Sequence, residues 1–149
     1  MEQLIFDSGI KEYQINGKGV LRFNPSDPNV YARFMDNMEK IQKVEKEMVA
    51  KADSLNRDSA SSGEKVLSIM RETDQKMKAI LNEIFGHEND FDKILENVNL
   101  MAVASNGERV ITNLIAALQP IMEEGAKSCV GTQVNDAKLN REQRRAQNL

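Results

Sequence analysis

Few side chains in this sequence are able to do covalent or proton chemistry. His87 is the only histidine, and it follows Gly86 with Glu88 and Asp90 nearby, the composition of a solvated turn. A zinc site needs several His or Cys at short local spacing, and His87 has no such company. Cys129 is the only cysteine, so an internal disulfide is excluded, and no motif around it marks an activated nucleophile. Gly9, Gly17 and Gly19 fall where strand turns are expected, outside any GxxxxGK[ST] or GxGxxG loop that would cradle phosphate. The carboxylates alternate with lysines as they do on solvated helix faces, so no pair stands out as acid and base. This inventory predicts a non-enzyme with no catalytic residue, no cofactor and no metal ligand.

The residues that suit binding are more numerous. Lys138, Arg141, Arg144 and Arg145 form one basic cluster near the C-terminus. It fits a solubilising end or a dock for an acidic protein surface, and its lack of interleaved aromatics argues against a nucleic-acid platform. Residues 126–149 carry a net +3 and the preceding body −6, without the broad basic face of a nucleic-acid module. The eight methionines are flexible enough to fill gaps in a core or to repack against different partners. Met38, Ile41, Met48, Met70 and Met77, all on helical stripes, are with Arg141, Arg144 and Arg145 the residues expected to contact a protein partner.

The elements that must position these residues follow from periodicity. Gln3–Phe6 is short and apolar, 11–15 and 20–23 alternate polar and apolar, and Asn16-Gly17 between them is a strong hairpin signal. Two or three short strands are therefore expected within residues 1–24. Asn24-Pro25-Ser26-Asp27-Pro28 closes that region, with Asp27 suited to cap a helix and Pro28 to begin it. Val30, Phe34, Met38, Ile41, Val44, Met48, Ala52 and Leu55 then make one apolar stripe at steps of three and four. The polar run 56–63 predicts a break. A second stripe follows at Val66, Ile69, Met70, Thr73, Met77, Ile80, Leu81 and Ile84, stopped by Gly86. These two helices should form an antiparallel hairpin, although a spacing near 3.5 also leaves a coiled-coil dimer open.

A short helix is expected at 91–95, with Asn89 or Asp90 as its cap, and 98–104 is ambiguous among loop, strand and helix. A last helix spans about Glu108 to Glu124, with a wide apolar face of Val110, Ile111, Leu114, Ile115, Leu118, Ile121 and Met122. Pro120 should kink it or shorten its final turn. Beyond residue 129 apolar surface is sparse, and a disordered tail is expected. The predicted fold is mainly α with a small N-terminal β region (α+β): strands at 1–24, a helical domain at 25–128 and a flexible basic tail at 129–149.

A chain of 149 residues can bury a core without disulfides or metals. Aromatics at 5% and the absence of Trp favour helix-on-helix packing over a sandwich or barrel. No window approaches the roughly 18–20 apolar residues of a membrane span. The opening MEQLIFDSG has neither a basic start nor a long apolar run, so no signal peptide is expected and the cytoplasm is the expected compartment.

The order of the segments FNPSDPNVYARF, ILNEIFG, FDKIL, NLMAVASNGERVITNLIAALQPIMEE and REQRRA resembles the small tail assembly chaperones of siphophages and prophages of Gram-positive hosts. The likeness covers most of the chain and is strongest from Pro25 to Glu124. It implies a largely helical, non-enzymatic protein that coats the long tape-measure protein in the host cytoplasm until the tail tube polymerises, and that is absent from the finished particle. The residues alone leave two other readings open. One is a structural phage or prophage component retained in the particle through pairing with copies of itself, which makes a homo-oligomer an expected partner state. The other is a helical adaptor or regulator that works through its basic tail.

Overall fold

The computed structural model describes residues 1–55 and 61–147, and of the side chains after residue 131 only Arg141 and Arg145. Asn16 and Gly17 take positive φ of 51° and 81°, and the Lys18 N–H donates to the Ile15 carbonyl at 3.1 Å. This turn joins strand β1 (Lys11–Ile15) to strand β2 (Gly19–Phe23), antiparallel with Tyr13 opposite Leu21. Leu21 and Phe23 point into the core, and Tyr13 and Ile15 pack beside them. A two-stranded sheet is marginal alone and must lean on something. Its support is a run of rings: Tyr13 stacks on Phe23 at 5.2 Å, Phe23 meets Phe85 edge-on at 4.9 Å, and Phe85 lies 5.8 Å from Phe91.

Gln3–Phe6, expected as a strand, pairs with nothing among the described residues; Leu4, Ile5 and Phe6 are exposed. Two contacts explain this. The Asn24 side-chain amide donates to the Ser8 carbonyl at 3.1 Å, tying the start of the chain to the end of β2 beside Gly9, which turns with φ 76°. The outer edge of β2 is also occupied, by the Asn89 side chain, which accepts from the Arg22 N–H and donates to the Arg22 carbonyl.

Helix α1 (Pro28–Asp53) begins as its sequence predicts, with the Asp27 carboxylate accepting from the Asn29 N–H at 2.9 Å. Helix α2 (Ser62–Phe85) ends at Gly86, which has φ 100°. The expected break between them falls partly on residues 56–60, which lie outside the described residues. The helices are antiparallel: Arg33, near the start of α1, donates to the Ile84 carbonyl near the end of α2 at 2.9 Å. Asp90 caps the short helix α3 (Phe91–Ile94). The ambiguous stretch after it is an irregular loop that buries Leu100 and Met101 and turns at Gly107, with a bridge between Val103 and Arg109.

Helix α4 (Val110–Gln147) is longer than its apolar pattern implies. It contains Pro120 without ending there, and its backbone continues through the segment expected to be a tail. That segment holds Ala137, Lys138, Leu139, Arg141, Glu142, Gln143, Arg144 and Arg145, all good helix formers, and propagation from a packed nucleus costs little. α4 lies against α1 in the opposite direction, Ile111 near Ile41 and Met122 near Phe34. Gly125 allows the close approach to the start of α1, since a Cβ there would sit 1.9 Å from the Pro25 carbonyl oxygen.

The core gathers Leu21, Phe23, Val30, Phe34, Ile41, Met48, Met77, Leu81, Ile84, Leu118 and Met122. The predicted stripes are right in period, but three polar positions join them. Asn37 is buried in α1, where its amide donates to the Arg33 carbonyl and its Oδ1 has no partner among the described residues. Asp74 and Lys78 are buried together in α2, one helical turn apart.

Candidate partner-binding groove

α4 carries a wider apolar face than α1 and the loop before it can cover. Ile111, Leu118 and Met122 are buried, while Val110, Leu114, Ile115 and Ile121 are left half-buried around them. Along the seam with α1 this leaves an open cleft of about 300 Å³. Met38, Ile41, Ile111 and Ile115 line it with apolar surface, and Gln42, Thr112 and Gln119 supply neutral polar groups. A second hollow continues it toward the start of α1 past Phe34, Met35 and Met122. At the other end Glu45 is held by Arg109 at 3.4 Å, and Arg109 itself donates to the Met101 carbonyl at 2.8 Å. Helix α1 adds Met35, 50% exposed, and Val49, 40% exposed, on the same side as Met38. A groove of this shape, apolar within and rimmed by amides, suits the apolar face of a helix better than a small polar substrate.

The residues singled out from the sequence separate by burial. Met38 and Ile41 line the groove. Met48 at 4% exposure and Met77 at 0% are core residues, because the faces that carry them close against the neighbouring helices, so neither offers a surface to a partner. Met70 is half-buried on α2, away from the groove. Arg141 and Arg145 are exposed on α4, while the side chains of Lys138 and Arg144 lie outside the described set. Ile115, Gln42, Thr112 and Gln119 were not anticipated. The available signal was the width of the 110–122 face, which exceeds what one neighbouring helix hides.

The groups considered for chemistry are dispersed. His87 is exposed in the turn after α2, and Cys129 is half-buried on α4. Among the described residues no cluster of three or more His, Cys, Asp or Glu could hold a metal. A tight ion triad is present that the sequence hides. Lys78 Nζ donates to Asp74 at 2.9 Å and to Asp92 at 2.7 Å, and the other Asp74 oxygen accepts from the Leu100 N–H at 2.8 Å. Burial pulls the Lys78 ammonium down, but its bonds to Asp92 and Asp74 and their charges outweigh that, leaving its pKa above the ordinary value. The triad ties α2 to the head of α3 and to the loop before α4. Its geometry is that of a clamp, since every oxygen facing the ammonium is already engaged. Among the described residues no helix is long and apolar enough to cross a membrane. No family model, no curated protein and no solved structure matches this chain.

Proposed function

We propose that the protein is a non-enzymatic, tail-assembly-chaperone-like binder that holds an amphipathic helix of a tape-measure protein in the α1–α4 groove and keeps it soluble until assembly in the host cytoplasm. The observation that carries this reading is the open seam where Met38, Ile41, Ile111 and Ile115 present apolar surface between two helices. The order of segments resembling tail assembly chaperones supplies the class of partner. A long, bare amphipathic helix aggregates through its apolar stripe, and a groove lined by Met and Ile covers such a stripe reversibly. The amides of Gln42 and Gln119 allow exchange of partners, because they offer no fixed charge that a single sequence must match.

The test is co-expression with the tape-measure protein encoded at the same locus. The soluble fraction of that protein is expected to rise several-fold with the wild-type chain and to fall back with Ile115→Asp, which places a charge in the seam. Ile115 is half-buried, so the variant should keep its helical circular dichroism. An unchanged solubility with the wild-type chain would end this reading.

A further inference from the structure

The N-terminal arm and the free edge of the hairpin are complementary. Asn89 bonds both backbone groups of Arg22, so these point away from β1. In an antiparallel pair the residue opposite must also turn its N–H and carbonyl outward, on the far side. Glu12 is that residue. By the two-residue period of a strand, Gln14 shares its orientation. β1 therefore presents the N–H and carbonyl of Glu12 and Gln14 along an edge with no strand beside it among the described residues, while the edge of β2 is sealed by a side chain. Unsealed edges of this kind accept added strands.

The same chain carries a strand-like segment that pairs with no strand among the described residues. Leu4, Ile5 and Phe6 are 88%, 86% and 74% exposed, and Ile10 is half-exposed beyond them. Leu, Ile and Phe in sequence have the composition of a strand. This arm cannot reach its own β1 edge as the chain stands. Lys11 pairs with Phe23, Ser8 is held by Asn24, the next residue, and Gly9 turns between them with φ 76°, so the arm is anchored on the β2 side of β1, away from the free edge. Turning back would break the Ser8–Asn24 bond and lift Gly9 from its seat on the Asn24 side chain.

We infer that Gln3–Phe6 of one copy adds as a third strand to the β1 edge of a second copy, and reciprocally, making a two-fold dimer. The exchange pairs the outward groups of Glu12 and Gln14. It also extends the inward-facing layer of Tyr13 and Ile15, both only half-buried in one chain, with side chains from the arm. Two arms with the surfaces they cover amount to on the order of 1,500 Å², within the range of stable dimers. The inference does not depend on the groove or its occupant, and its readout is the mass of the protein alone.

Light scattering of the full chain at micromolar concentration should give twice the 16.8 kDa of one copy. Two variants should each halve that mass with circular dichroism unchanged. Ile5→Asp with Phe6→Asp spoils the arm. Gln14→Pro spoils the edge, and it removes an N–H that the hairpin itself does not use. The arm variant alters only exposed side chains, so it decides the matter even if Gln14→Pro impairs folding. A wild-type mass of one chain overturns the inference, and so does a dimer that survives the arm variant.

Discussion

Lys78 shows how far one buried charge reaches. Its side chain is 6% exposed, its ammonium holds Asp74 and Asp92, and through Asp74 it fixes the Leu100 N–H. Replacing it by Met leaves Asp74 buried with only that N–H to satisfy it, and loss of one partner from a buried pair costs about 3–5 kcal/mol. A chemical denaturation midpoint checks this. Because the lysine pKa is raised on folding, its stabilisation is complete below the unfolded value of about 10.4 and is lost as pH climbs through the higher folded value. The thermal advantage of the wild type over Lys78→Met should therefore be constant near neutrality and shrink in strongly alkaline buffer. An advantage unchanged at high pH would remove the triad as its cause. Asn37 offers the opposite experiment. Its buried Oδ1 has no partner among the described residues, so Asn37→Leu should raise stability by about 1 kcal/mol, seen as a higher denaturation midpoint.

At the scale of elements, the β hairpin depends on side chains that substitute for backbone. Asn89 stands where a third strand would, bonding both the N–H and the carbonyl of Arg22 and also the Phe85 carbonyl, so it fastens β2 to the end of α2. Gly19 lets β2 press onto α3: a Cβ there would lie 2.1 Å from the Ile94 carbonyl oxygen. Gly19→Ala must push strand and helix apart, at a cost of about 1–3 kcal/mol by analogy with overpacking. A lowered melting temperature with near-native helical content would confirm it, and a neutral effect would mean that β2 and α3 part easily. The hairpin was legible because Asn16-Gly17 demands positive φ and the flanking residues alternate. The sealing of β2 was not legible, since an asparagine after a helix stop reads as turn or cap chemistry whichever backbone it later meets. Gln3–Phe6 looked like a strand for a sound local reason. Local composition says only that a segment would pair well, and the partner must come from elsewhere.

For the whole molecule, the sequence by itself determined the hairpin, the first three helices and their order, but not the fate of Gln3–Phe6 or the full length of α4. Apolar residues at steps of three and four, capped at Asp27 and stopped at Gly86, set α1 and α2. Periodicity is a local property, so it survives without knowledge of the fold. Tertiary structure alone decided which face of each stripe meets which neighbour. It placed Met48 and Met77 inside and left Met38 on the seam, although all three share the same helical spacing. It also buried Asp74 with Lys78, a pair four residues apart that reads like any solvated pair until Asp92 and Leu100 close over it. Burial depends on contacts between residues far apart in the chain. The groove, the ion triad and the open strand edge all arise at that level.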